Sequence, residues 1–159
     1  MTIKICCVGK LKESFFIEGC AEFAKRLSRY CELRVCEVAD EKAPETLSAA
    51  EMRQVREREG CRLLSVIDPK DHVIAMTIDG KRYSSERFAS HMEDLEANGV
   101  RTIDFVIGGS TGLSDAVIRR ADETMSLSDL TMPHRIARLV LLEQIYRSYK
   151  IRRNEAYHK

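Results

Sequence analysis

Short apolar runs alternate with amphipathic segments along the whole chain, and this alternation limits the fold more than any single motif. TIKICCVG, residues 2–9, begins with alternating apolar positions and reads as a first strand closed by Gly9. Between Glu13 and Arg29, the residues Phe16, Cys20, Phe23, Ala24 and Leu27 recur on one helical face. CELRVCEV, Cys31 to Val38, reads as a second strand. LSAAEM then opens a helix, with Ser48 and Glu51 at capping-box spacing and Leu47 placed for the staple; it should end before Pro69. DHVIAMTIDG predicts a third strand ended by a tight turn at Asp79-Gly80. Ser84 or Ser85 caps the next helix, which Asn98-Gly99 stops. RTIDFVIGG predicts a fourth strand, Ser114 caps DAVIRRAD, and ETMSLSDL predicts a short fifth strand running into a loop. Pro133 starts the longest periodic segment, HRIARLVLLEQIYRSYKI, since a proline's missing N–H has no intrahelical partner in a first turn. Strands separated by helices predict a mostly parallel sheet covered on both faces, in one α/β domain over residues 1–159.

The last helix carries Ile136, Leu139, Val140, Leu142, Ile145 and Tyr146, a stripe wider than one sheet contact needs. It predicts either deep burial or a subunit interface. The net charge of +1 hides an uneven distribution: Arg135 to Lys159 hold seven Lys/Arg against two acids, so the rest of the chain is modestly acidic. Such an end attracts a polyanion or forms an ordinary solvated face. Six cysteines show neither C-x-x-C spacing nor a four-ligand zinc pattern, and are expected as reduced thiols. No segment approaches membrane-spanning length, and MTIKICCVGKLKE is too short and too quickly charged for a secretory signal; the expected location is the cytoplasm.

The stretch IDFVIGGSTGLSDA, Ile103 to Ala116, offers a glycine turn at the carboxyl end of a predicted strand, where ligands of α/β proteins bind. It lacks the lysine and spacing of a P-loop, and it follows the fourth strand rather than the first, unlike a dinucleotide fingerprint. It is either a functional loop or a structural turn. MTIDG and MSLSDLTMP supply apolar and small hydroxyl groups at neighbouring strand ends, suited to a flat, nearly neutral ring and lacking the cations a triphosphate needs. At the terminus, Tyr157 can stack on a base, His158 can exchange a proton near neutral pH and Lys159 can meet phosphate, unless the tail merely frays.

VGKLKE, VREREG, FVIGGSTGL, MSLSDLTMPH, LLEQIYRSYKI and YHK, in this order and spacing, resemble the ribosomal RNA large subunit methyltransferase H family, of the knotted SPOUT superfamily. The resemblance covers nearly the whole chain. Some members carry GGPEG where this chain has Gly108 to Gly112, and a terminal His-Arg where it has His158-Lys159. The resemblance implies an S-adenosylmethionine-dependent enzyme that methylates N3 of a pseudouridine in 23S ribosomal RNA of the assembled ribosome. It implies an α/β trefoil knot near the C-terminus and a homodimer, with no metal and no membrane partner. Carried over, the cofactor site comprises Met76, Gly108, Leu127, Ser128, Asp129, Leu130, Thr131 and Met132. His158 is the expected base, flanked by Tyr157 and Lys159, and Arg138, Arg147, Arg152, Arg153 and Lys159 are expected on RNA. The alternative is a non-catalytic RNA- or ribosome-binding module.

Overall fold

In the computed structural model, which describes residues 1–157, the elements follow the expected alternation. They are β1 Thr2–Val8, α1 Ser14–Leu27, β2 Glu32–Val38, α2 Ala49–Ser65, β3 His72–Arg82, α3 Ser85–Ala97, β4 Thr102–Ile107, α4 Asp115–Arg120, β5 Glu123–Ser126 and α5 His134–Arg152. The strands form a sheet ordered β2-β1-β4-β3-β5, and every neighbouring pair is parallel. Parallel neighbours need helical crossovers, which is why the two sheet faces are both covered.

The two-residue period of the strands sorts side chains between two cores. Ile3, Ile5 and Cys7 of β1, with Ile103, Phe105 and Ile107 of β4, meet Cys20, Leu27, Phe88, Met92, Leu141, Leu142 and Ile145 from α1, α3 and α5. Cys6, Val8 and Val106 face the other way, onto Leu63 of α2 and Val117 of α4. The polar intruder on this second face is Lys4. Its Nζ donates to Asp71 at 2.8 Å, Asp104 at 2.9 Å and the Val66 carbonyl at 3.0 Å. Lys4 and Asp104 are register partners on β1 and β4, so the pair is built into the sheet.

The sequence signals place the helices well. Ser48 accepts from the Glu51 N–H at 3.2 Å while the Ser48 N–H donates to Glu51 at 3.3 Å, the reciprocal box that starts α2. Ser84 caps α3 and Ser114 caps α4. The third strand departs from expectation. It does not turn at Asp79-Gly80 but continues to Arg82, with a register break between Met76 and Lys81 that throws residues 77–80 out of the ladder. Gly80 is there for closeness, since a Cβ would lie 2.5 Å from the Met125 carbonyl carbon. The α5 stripe is mostly inward: Leu142 and Ile145 are buried and Leu139, Val140 and Tyr146 half-buried, leaving Ile136 exposed. Leu141 and Tyr149, outside the expected stripe, are buried with them. All six cysteines are free thiols; three are buried, and burial pushes Cys7 up to about 11, while Cys61 is exposed.

Candidate functional site

The carboxyl ends of β3, β4 and β5 open into a cavity of about 720 Å³, within the range of small-molecule sites. Three segments line it: Met76 to Ile78 where β3 leaves the ladder, Ile107 to Gly112 after β4, and Met125 to Ala137, omitting Asp129, Arg135 and Ile136. Another hollow lies at the amino ends of β1 and β4, beside Arg29, Tyr30 and Arg101. The carboxyl-end cavity is the better candidate, because bound ligands in parallel sheets sit outside the carboxyl ends.

The glycine loop is shaped by its own backbone. The Gly112 N–H donates to the Gly109 carbonyl at 3.1 Å, and Gly112 has φ of +87°, a left-handed conformation that glycine adopts without strain. A Cβ on Gly108 would lie 2.7 Å from the Gly112 carbonyl carbon and 3.0 Å from the Leu113 nitrogen. Gly108 was expected at the cofactor site; its first duty is to make room for its own loop. Behind Gly109 stands Glu59 of α2, whose carboxylate oxygens would each be 3.0 Å from an added Cβ. Glu59 is buried, its Oε1 has no hydrogen-bond partner, and burial raises its carboxyl above the usual range.

The second loop is also self-supporting. Ser126 Oγ donates to the Ser128 carbonyl at 3.0 Å, and Ser128 Oγ accepts from the Leu130 N–H at 3.0 Å. Met76, Gly108, Leu127, Ser128, Leu130, Thr131 and Met132, all expected at the cofactor site, line the cavity together. Asp129 does not: it turns outward, largely exposed, onto Arg82. The expected set missed His134, which follows the helix-opening proline and lines the cavity from the start of α5. Burial lowers its imidazole below the ordinary value and Arg135 adds to this, against the opposing pull of Asp40 and Glu13. A histidine directly after Pro133 was visible as a signal, but nothing in the sequence says which way it faces.

The basic end is largely neutralised in place. Arg138 is buried and donates to Glu37 at 2.6 Å, so it serves the core rather than an open RNA surface. Arg147 pairs with Glu143, Lys150 with Glu155 and Arg152 with Glu96. Arg153 is exposed and lies 4.7 Å from the centre of the Tyr30 ring. Tyr157 packs back along α5, donating to Glu143 at 3.0 Å with its ring edge-on to Tyr146. His158 and Lys159 lie outside the described residues. Among the described residues, no side-chain cluster suits a metal ion and no helix is long and apolar enough to cross a membrane.

The family model described as predicted SPOUT methyltransferase matches residues 1–158. Ribosomal RNA large subunit methyltransferase H of Listeria monocytogenes serotype 4b is 53% identical over 159 residues, covering 100% of both chains. The protein of the same name from Exiguobacterium sp. (strain ATCC BAA-1283 / AT1b) is 54% identical over the same full length of both. In shape, the chain is similar to a Legionella pneumophila protein described as a methyltransferase and solved with the bound cofactor SAM. That likeness has a TM-score of 0.51 at 13% identity, covers 94% of this chain and 66% of that one, and shows the fold. Matched end to end at this identity, the chain belongs to the ribosomal RNA large subunit methyltransferase H family of SPOUT methyltransferases.

Proposed function

We propose that the chain transfers the methyl group of S-adenosylmethionine to N3 of a pseudouridine in 23S ribosomal RNA, acting on the assembled ribosome in the cytoplasm. The observation that carries this reading is the cavity at the strand ends, lined by apolar and hydroxyl groups and one histidine, with no lysine or arginine among the described residues, in a chain of this family. The fit is chemical: a flat adenine and a sulfonium suit methionines, leucines and small hydroxyls, whereas a polyphosphate needs cations. Met76, Leu127 and Met132 would hold the apolar parts, with Thr131 and the backbone around Gly108 meeting polar edges. The donor, when bound, supplies an activated methyl and its own leaving group. The chain's residues need only hold it, exclude water and manage the nucleotide's proton.

The whole chain is read as one methyltransferase domain with the SPOUT trefoil knot near its C-terminus, on the strength of family membership. A homodimer is supported by the large apolar side chains left exposed, Leu130 and Ile78 at the cavity mouth and Ile136 and Phe15 near the start of α5 and α1. In a two-fold pair, one subunit's Tyr157, His158 and Lys159 can serve the other's cavity. Light scattering should report a dimer at working concentration; a fully active monomer would overturn this arrangement. Arg153 and Lys159 are assigned to RNA phosphate. Arg147 and Arg152 can join them only by exchanging a carboxylate partner for phosphate.

The deciding measurement is methyl transfer from labelled donor to ribosomes that carry the pseudouridine but lack the modification, followed by mapping of the labelled nucleotide. Label at one pseudouridine N3 is the expected result. Ribosome binding without donor binding or transfer would instead support a non-catalytic module.

A further inference from the structure

N3 of pseudouridine carries a proton at neutral pH, and its lone pair attacks a methyl group readily only as that proton leaves. Two imidazoles are candidates to take it: His158 at the tail and His134 in the cavity wall. We propose that His134 is the proton acceptor for the methyl transfer, an inference that rests on the functional reading above.

Geometry singles it out. Among the described residues lining the cavity, His134 is the one side chain with an acid–base group. The carboxylates that might compete are turned elsewhere: Asp129 is on Arg82, and Glu59 is buried behind Gly109. The first turn of α5 holds His134 in place, with the Ala137 N–H donating to the Pro133 carbonyl at 3.0 Å and the adjacent Arg135 paired to Glu13. No hydrogen bond engages the imidazole among the described residues, so its ring nitrogens are available to a nucleotide edge. Tyr157, the last described residue, is fastened to Glu143, which lies roughly 13 Å from His134 along the helix at about 1.5 Å per residue.

The charges facing His134 are Arg135, Asp40 and Glu13; burial first and Arg135 second favour the neutral ring, against the opposing pull of the two carboxylates. A neutral imidazole has a free lone pair. In the step, the N3–H bond breaks and its proton passes to an imidazole nitrogen of His134. The N3 lone pair forms the new bond to the methyl carbon as the carbon–sulfur bond breaks, its electron pair remaining on sulfur. The imidazolium then loses its proton to water.

Single-turnover rates across pH, at saturating ribosome and donor, test this in wild type, His134→Gln and His158→Ala. Glutamine keeps hydrogen-bonding capacity but cannot take a proton. His134→Gln should be at least ~100-fold slower at neutral pH, and should lose the fall in rate that wild type shows as pH drops below its histidine's titration. Its donor affinity by calorimetry and its thermal midpoint should match wild type, and imidazole in the buffer should restore part of the rate of His134→Ala. A wild-type rate and pH profile in His134→Gln would overturn the proposal, as would loss of the acid limb in His158→Ala but not in His134→Gln. Absence of transfer by the wild type would instead sink the enzyme reading itself, and the base with it.

Discussion

Replacing Lys4 with methionine lowers stability by about 3–5 kcal/mol, the usual consequence of removing one partner from a buried ion pair. For a chain of this size that is a fall of roughly 6–20 °C in thermal midpoint. The cause is arithmetic of charge. Two carboxylates, Asp71 and Asp104, share one ammonium, and Asp104 is fully buried with one oxygen lacking a partner. Burial, aided by the neighbouring Asp71, pushes the Asp104 carboxyl up to about 6 from 3.8. The folded state therefore binds a proton between those values that the unfolded chain does not, so this group's contribution falls as pH rises through that window. Without Lys4 the carboxyl rises further, and the variant's deficit should be smaller in acid than above neutrality. Chemical denaturation at several pH values checks both points. A further Asp104→Leu change should restore stability in the Lys4→Met background, since it removes the stranded charge rather than another favourable contact. A deficit independent of pH and untouched by the second change would refute the shared-ammonium account.

Gly108→Val is expected to lose donor binding together with stability, by ~1–3 kcal/mol or more, because the new side chain meets backbone of its own loop before any ligand arrives. Denaturation and donor calorimetry on the same preparation separate the two effects. A variant as stable as wild type but blind to the donor would show that the loop yields and that Gly108 serves the ligand after all. Gly112 behaves differently. Nothing lies within 4 Å of an added Cβ there, so its restriction is conformational, and asparagine, which tolerates positive φ, should be accepted far better than valine.

What the sequence could and could not reveal follows from the range of each signal. Caps and helix stops are local, so Ser48, Ser114 and Asn98-Gly99 were read correctly from their neighbours, and of Ser84 and Ser85 the first proves to be the cap. The two-core sorting followed from the period of the strands. The excursion at 77–80 was not legible, because it exists for Met125, some 45 residues away, and an Asp-Gly pair looks like a turn whichever partner arrives. The outward swing of Asp129 depends on Arg82 in the same non-local way. Arg138 was expected on RNA with the rest of the basic end; its burial depends on Glu37, a residue of the edge strand that the sheet order brings beneath it. The three cavity-lining loops were legible together as a strand-end pocket, the family resemblance assigned individual positions to it, and the inward face of His134 was legible in neither.

The order β2-β1-β4-β3-β5 also governs when this molecule can become itself. The central pair joins the first strand made to one completed only after residue 107, and the core above that pair is closed by Leu141, Leu142 and Ile145, from the last helix made. Contacts so distant in sequence form slowly, since each waits on a large loop closure. A nascent chain stopped before α5 would display Ile3, Ile5, Ile103 and Phe105 to solvent, with one wall of the cavity still unmade. Assembly thus waits on α5: until that helix docks, the unfinished sheet is the surface most exposed to aggregation.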